Sequence, residues 1–198
     1  MAAKRVLGRV ERWDTELDLI SQVCRQTFGG ADGLVIHPSE HLPGQALAEA
    51  LETPAVLWLQ GDGPLHLEAW AQVGVSQVVF PGTRLEELRP VVQQLGPLRV
   101  ALSLDGLSLL QAGEAAEHAA ELGLCELYVP EKMCRDEALI PQLRAGAWVL
   151  VGVADEDTPM AEAIEWLLSG GDGWLTSAGT TASPLKGRMA EAGLRVRP

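Results

Sequence analysis

The sequence predicts an α/β protein, a compact (β/α)8 TIM barrel with eight βα units in a single domain over residues 1–198. Two observations predict it: one short pattern recurs four times, and apolar runs alternate with amphipathic segments along the whole chain. An open doubly wound sheet is the alternative. That fold usually carries a glycine-rich turn after its first strand, where this chain has "GRVERWD".

The recurring pattern is a glycine, two or three small or polar residues, and then an apolar run. Its four instances are "GGADGLVI" (29–36), "VGVSQVVF" (73–80), "LGLCELYV" (122–129) and "GGDGWLTS" (170–177). A helical pattern precedes each instance, so the glycine suits a helix C-terminus, where a positive φ costs least without a Cβ. The apolar run is typical of a strand that is buried on both faces of a parallel sheet.

Further apolar runs between these phrases complete the set of predicted strands. Strands are expected near 5–10, 34–37, 55–59, 77–80, 98–103, 126–129, 148–153 and 173–176. Amphipathic helices are expected over 15–28, 44–52, 65–73, 84–95, 107–122, 135–144, 159–169 and 182–192. Three tryptophans, Trp58, Trp148 and Trp174, fall in these strands and are expected in the core. Right-handed crossovers between successive strands favour closure into a barrel.

Composition excludes several classes of protein. The net charge of −12 argues against nucleic acid or an anionic membrane surface as a partner. No apolar window is long enough for a membrane span, and "MAAKRVLGRVERWD" is not the start of a signal peptide. Cys24, Cys125 and Cys134 lack metal-ligand spacing, which favours reduced thiols. We expect an acidic cytoplasmic protein that binds a small-molecule ligand; assembly into a homo-oligomer stays open.

Catalytic groups of such barrels gather after the C-terminal ends of the strands. His37 directly follows "LVI" of the second strand, and its imidazole titrates nearest neutral pH. We expect His37 to be the catalytic base, with Asp105 and Asp155 as catalytic partners; an exposed or capping histidine is the alternative. The first strand is followed by Glu11 and Arg12.

A phosphate or substrate site is expected after the eighth strand, in "SAGT". Ser177, Ala178, Gly179 and Thr180 offer small residues and hydroxyls at the beginning of a helix, where backbone amides bind anions. The acidic run "DED" (155–157) after strand 7 would repel a dianion there. Lys132, after strand 6, is a candidate anion ligand or imine-forming amine, with a surface lysine as the alternative.

A metal site is the second expectation. Asp62, Asp105 and Asp155 follow strands 3, 5 and 7, and alternate strands feed the same layer of a barrel. Three carboxylates that converge in this way would suit Mg²⁺. Asp62 and Asp105 each stand beside a glycine, so plain turn residues are the alternative.

Several phrases resemble small phosphate-binding barrels of the ribulose-phosphate-binding group. "GADGLVIHPSEHLPGQALAEAL" (30–51) and "GGDGWLTSAG" (170–179) are similar to phrases of thiamin-phosphate synthases. "AQVGVSQVVFPGTRLEELRPVVQQLG" (71–96) and "ELYVPEKM" (126–133) resemble 2-keto-3-deoxy-6-phosphogluconate aldolases. Phosphoribosylanthranilate isomerase is similar in size and in its strands 2 to 5. The resemblance implies a lyase or isomerase that acts on a small phosphorylated metabolite.

The catalytic residues of these families do not carry over. The position of the aldolase's imine lysine holds Leu127, the position of the isomerase's cysteine holds Leu7, and "VGVADED" replaces the synthase's glycine-rich turn. The tail (148–177) is also similar to the ending of glycerophosphodiester phosphodiesterases, which would imply a metal-dependent hydrolase. A barrel without catalysis, which serves as a binding or assembly module, is a further alternative.

Overall fold

The computed structural model describes residues 3–38, 44–59 and 67–197, and it confirms the predicted fold class. Eight strands follow one another in chain order around a closed barrel. They are β1 (Arg5–Val10), β2 (Gly33–Ile36), β3 (Ala55–Trp58), β4 (Val75–Pro81), β5 (Val100–Ser103), β6 (Glu126–Pro130), β7 (Val149–Val153) and β8 (Gly173–Leu175). The pairs β1–β2, β2–β3, β5–β6 and β6–β7 are parallel, as the crossover pattern predicts.

Helices alternate with the strands. They are α1 (Glu16–Phe28), α2 (Gln45–Ala50), α3 (Leu67–Gln72), α4 (Leu85–Leu95), α5 (Leu109–Glu121), α6 (Glu131–Cys134), α7 (Leu139–Gly146), α8 (Met160–Ser169) and α9 (Ala182–Glu191). Short 3-10 turns at Gly82–Arg84 and Pro97–Arg99 precede α4 and β5. Within the described part of the chain, no helix combines the length and the apolarity that a membrane span requires.

The connection after β6 differs from the prediction of one helix over 135–144. A single helical turn, α6, follows Pro130 directly, and α7 begins only at Leu139. Asp136 causes the break, because its Oδ1 accepts hydrogen bonds from the backbone N–H groups of Ala138 and Leu139 at 3.0 and 3.3 Å. Such a side chain-to-backbone turn competes with helix continuation.

The chain divides into two compact units: one contains Met1–Val78 and Leu175–Pro198, and the other contains Val79–Trp174. Each has its own buried apolar residues. In the first unit they include Val6, Val10, Leu19, Val23 and Val35, and in the second Leu102, Leu127, Leu150, Val151 and Trp166. In both units, residues of the strands pack against residues of the amphipathic helices.

The four glycines of the recurring pattern have the predicted conformation. Gly30, Gly74, Gly123 and Gly170 have φ values of 83°, 97°, 77° and 129°. Each follows a helix and precedes a strand, in a region of φ that side chains with a Cβ rarely adopt. The prediction of a helix-to-strand hinge at these glycines is confirmed.

The aspartates of "GADG" and "GGDG" hold the start of a neighbouring strand. The N–H of Asp32 donates to Val6 O at 2.8 Å, while Asp32 Oδ2 accepts from Val6 N at 2.7 Å. Asp172 forms the same pair of bonds with Leu150, at 2.8 and 2.9 Å. Each aspartate therefore closes a ring of two hydrogen bonds with a strand, and this shared geometry serves the fold.

Each of these aspartates also faces a cation. Asp32 Oδ1 lies 2.7 Å from Lys186 Nζ, and the two side chains are only 4% and 13% exposed. Asp172 pairs with Arg144, and these side chains are 31% and 30% exposed. The pair at Asp32 is therefore the more deeply buried of the two.

Two of the three strand tryptophans are in the core, as predicted, and the third prediction is wrong. Trp58 and Trp174 are buried, whereas Trp148 is 81% exposed. The reason is the start of β7 at Val149, which leaves Trp148 in the connection from α7, where its ring extends into solvent.

Candidate functional site

The end of β1 carries two kinds of residue on its two faces. A Cβ at Gly8 would lie 2.7 Å from Gln26 Oε1, so this position faces α1. Because side chains alternate along a strand, Arg9 points to the opposite face. Gly8 thus lets α1 approach the strand closely, and Arg9 lies on the face that is turned away from α1.

His37 follows β2 directly, as the sequence predicted, and is held firmly. Its N–H donates to Val10 O at 2.8 Å, and its carbonyl accepts from Trp13 Nε1 at 3.0 Å. The imidazole stacks on Trp58, and its Nε2 lies 3.9 Å from Glu11 Oε2. His37 and Glu11, from the ends of adjacent strands, therefore form a close pair of titratable groups.

Burial changes the chemistry expected of His37. The residue is 9% exposed, and burial, with a smaller contribution from the positive charge of Arg9, lowers the pKa of its imidazole from 6.5 to about 4. The ring is therefore neutral at pH 7. A neutral imidazole can donate a hydrogen bond from one nitrogen and accept one at the other, but it is a weak base.

An open cavity of about 370 Å³ lies beside this pair, in the first unit. Its walls come from the end of β1, from one face of α1 and from the β8–α9 loop. The lining residues are Glu11, Arg12, Asp18, Ser21, Gln22, Arg25, Ala178 and Gly179. The α1 residues are spaced by three and four, which places them on one side of the helix.

The lining of the cavity carries two carboxylates and two guanidinium groups. Glu11 and Arg12 are close to each other, with 3.9 Å between Oε1 and Nε. Arg12 has φ 56°, the only positive φ of a non-glycine residue within residues 3–38, 44–59 and 67–197. Strained backbone of this kind clusters at functional sites, where the surrounding structure maintains it.

The predicted anion-binding loop contributes directly to this cavity. Ala178 and Gly179 line it, and Gly179 has φ 79°. Ser177 and Thr180 instead hold the loop closed, because their hydroxyl oxygens lie 3.0 Å apart and Thr180 N–H donates to Ser177 O at 3.2 Å. Their role toward a ligand stays a prediction.

The structure places the other predicted residues in the second unit, on its surface. Asp105 and Asp155 are exposed, and each takes part in a turn: Asp105 Oδ1 accepts from Gly106 N at 2.9 Å, and Asp155 N–H donates to Thr158 Oγ1 at 2.7 Å. Lys132 is exposed on α6. Their proposed catalytic and binding roles stay predictions.

The predicted metal site includes one residue that cannot be placed, since Asp62 lies outside the described residues. Among the residues whose positions the structure gives, no group of three or more His, Cys, Asp or Glu side chains could hold a metal ion. The convergence of Asp62, Asp105 and Asp155 on Mg²⁺ therefore stays a prediction.

Reasoning from the sequence missed most of the α1 wall. The expected site residues all follow strands, whereas Asp18, Ser21, Gln22 and Arg25 lie within a helix. The i, i+3, i+4, i+7 spacing of these polar residues, beside the stripe that holds the buried Leu19 and Val23, was the available signal.

The fold and this site define the chain as a (β/α)8 barrel protein with a polar cavity beside the end of β1. No protein-family model matches it, and no curated protein matches its sequence. In total, 643 chains of known structure match this one, so the fold is widespread. One is phospho-2-dehydro-3-deoxyheptonate aldolase (DAHP synthase) from Thermotoga maritima, with a TM-score of 0.68 and 12% identity over 98% of this chain and 71% of that one. At this identity the likeness shows the fold alone.

Proposed function

We propose that the protein is a lyase or isomerase of a small phosphorylated metabolite, in the manner of the ribulose-phosphate-binding barrels. One observation carries the proposal: Glu11 lines the cavity, and its Oε2 lies 3.9 Å from the Nε2 of the buried His37. One member of an acid–base pair, Glu11, thus borders a space of the size of a metabolite. The aldolase that shares the fold is consistent with lyase chemistry.

The two members of the pair have different tasks in this proposal. Glu11 faces the ligand and removes a proton from the carbon beside a carbonyl group, whose oxygen takes up the electron pair. His37 is neutral at pH 7 and lies beside Glu11 without removing the proton itself, since a group with a pKa of about 4 accepts a proton poorly. The carbon that loses this proton carries a hydroxyl group. Its O–H proton passes to the former carbonyl oxygen and Glu11 returns the first proton to the former carbonyl carbon, which gives the isomer. In this proposal Glu11 is the catalytic base, in place of the His37 that was expected from the sequence.

The cavity lining favours a ligand with both an anionic group and hydroxyl groups. Arg12 and Arg25 offer charge-assisted hydrogen bonds to a phosphate, and the small Ala178 and Gly179 allow close approach of the backbone. Glu11 and Asp18 would repel a bare dianion but accept hydrogen bonds from hydroxyl groups. A sugar phosphate complements this lining better than inorganic phosphate does.

A thermal-shift screen of sugar phosphates, with and without Mg²⁺, tests the proposal. A ligand at a hundred times its Kd stabilises the folded state by about 2.7 kcal/mol and raises Tm by roughly 5–10 °C. The Arg25→Gln variant should lose most of this shift. Arg188→Gln, on α9 outside the cavity lining, is the matched control. The proposal is wrong if no sugar phosphate shifts the wild-type protein, or if Arg25→Gln responds like the control.

Binding without turnover is the second candidate function. It is favoured by the exposed turn positions of Asp105 and Asp155, which the sequence predicted as partners of the base. Incubation of the bound sugar phosphate in D₂O separates the two candidates. An enzyme exchanges the hydrogen beside the carbonyl group, and Glu11→Gln abolishes that exchange, whereas a binding module leaves the ligand unlabelled.

The location, the metal and the assembly of the protein are further parts of the proposal. The three cysteines are free thiols, which fits a reducing compartment such as the cytoplasm. A Mg²⁺-dependent shift in the screen, lost in Asp105→Asn or Asp155→Asn, would favour the metal-dependent hydrolase instead. Sedimentation at several protein concentrations would test assembly into a homo-oligomer.

A further inference from the structure

Gln26 of α1 joins two segments that border the cavity. The side chain is fully buried, and its Nε2 donates to Arg9 O at 3.3 Å and to Thr180 O at 3.1 Å. These acceptors belong to the end of β1 and to the β8–α9 loop. A flipped amide would direct its oxygen at both carbonyls, so the hydrogen-bond partners fix the orientation.

The hydrogen bond from Gln26 to Arg9 O takes the place of the next backbone hydrogen bond between β1 and β8. Thr176 N–H donates to Leu7 O at 3.0 Å. In a regular parallel ladder, Arg9 O would next accept from the N–H two residues farther on, that of Ala178. Here the amide of Gln26 supplies a donor to Arg9 O, and β8 ends at Leu175. The chain can therefore leave the sheet and present Ala178 to the cavity.

The bond to Thr180 fixes the other end of the same loop. Thr180 O also accepts from Thr176 Oγ1 at 3.2 Å. The carbonyl therefore closes the loop on itself and ties it to α1 at one point. Gly8 makes this possible, because a Cβ at that position would lie 2.7 Å from Gln26 Oε1.

A packing role alone does not account for a glutamine at this position. Among the described residues, Gln26 Oε1 is buried and has no hydrogen-bond partner, which is an unfavourable state for a polar atom. A methionine of similar length would fill the space without that cost. The amide adds two directional hydrogen bonds, which fix the positions of two carbonyl groups from different segments relative to each other.

We propose that Gln26 is a positioning residue that holds the β8–α9 loop so that Ala178 and Gly179 form a wall of the cavity for the ligand. The effect on the wall is independent of any ligand. The consequence for binding rests on the proposed function.

Hydrogen exchange measured by mass spectrometry tests the first part. In Gln26→Met, backbone amides of residues 176–181 should exchange at least tenfold faster, while amides of α4 and β5 keep their wild-type rates. Val23→Ala is the matched control, because Val23 is buried on the same helix and its side chain cannot form hydrogen bonds. It lowers Tm without a selective effect on the loop. Equal loop exchange in the two variants would overturn the proposal.

Calorimetric titration with ribose 5-phosphate tests the second part. Gln26→Met should weaken binding at least tenfold, and Gln93→Met, an exposed position on α4, should leave the Kd unchanged. Selective loop exchange together with an unchanged Kd would overturn the link between Gln26 and the ligand. If wild-type protein does not bind this sugar phosphate but the loop exchange changes selectively, the proposed function fails for this probe and the positioning role stands.

Discussion

The imidazole of His37 stacks on the indole of Trp58, with 5.3 Å between the ring centroids and 17° between the planes. Trp58 is the last residue of β3 and His37 follows β2, so two parallel strands bring the rings together. The contact contributes to the burial that lowers the pKa of His37.

This burial predicts a specific dependence of stability on pH. The pKa of His37 is about 4 in the folded protein and 6.5 when unfolded, so between these values the unfolded chain binds more protons at this residue. The free energy of unfolding therefore falls as pH decreases through this window, by up to about 3 kcal/mol. Urea unfolding between pH 7 and pH 4 measures it.

Two variants identify the source of that pH dependence. His37→Gln should lose the part of the slope that His37 contributes, although Arg9 and Glu11 still face the site. Gln93→Met, which changes an exposed residue of α4 that does not titrate, should keep the wild-type slope. A wild-type slope in His37→Gln would contradict the assignment.

The two aspartate rings should differ in their contribution to stability. Asp32→Ala leaves the buried Lys186 without its carboxylate and should cost about 3–5 kcal/mol. Asp172→Ala removes a more exposed pair and should cost about 1–2 kcal/mol. Equilibrium unfolding in urea provides the comparison. The double variant Asp32→Asn with Lys186→Met should be more stable than Asp32→Ala, because no unpaired charge stays buried; equal losses at both aspartates would refute the ranking.

Gly8 should tolerate no side chain while Gln26 is present. Gly8→Ala brings a Cβ within 2.7 Å of Gln26 Oε1 and 3.0 Å of its Cδ, atoms that alanine at position 26 lacks, and should cost about 1–3 kcal/mol. The loss in Gly8→Ala with Gln26→Ala should be smaller than the sum of the single losses, as a double-mutant cycle can show. Gly113→Ala, in the interior of α5 with its nearest neighbour 3.5 Å away, should instead be stabilising. Additive losses at positions 8 and 26 would show that the contact is absent.

Trp148 should dominate the quenching of tryptophan fluorescence. It is 81% exposed, whereas Trp13, Trp58, Trp70, Trp166 and Trp174 are buried. Trp148→Phe should therefore remove most of the emission that iodide quenches and shift the remaining emission to shorter wavelength. A decrease of quenching with rising protein concentration would indicate self-association over this side chain; unchanged quenching in the variant would contradict the exposure.

The fold could be predicted because its determinants are local. A glycine at each helix end and an apolar run after it lie within eight residues, and Gly30 and Gly170 have the conformation that this pattern requires. Element boundaries were harder. The start of β7 lies one residue later than predicted, and that shift places Trp148 in solvent.

The site was predicted only where it depends on strand ends. His37 and the loop with Ala178 and Gly179 follow strands, and the sequence indicates them. The lowered pKa of His37 depends on burial by residues distant in sequence, and the joining of β1 to the β8–α9 loop by Gln26 spans 154 residues. No local pattern contains such information.

The ion pair between Asp32 and Lys186 joins residues far apart in sequence, so it constrains when the first unit can finish folding during synthesis. The second unit, Val79–Trp174, is continuous in sequence, so all its contacts can form as soon as that stretch has left the ribosome. The first unit is split, and Asp32 has to wait until residue 186 has been made. During translation Asp32 therefore lacks its cation until α9, which carries Lys186, has been made.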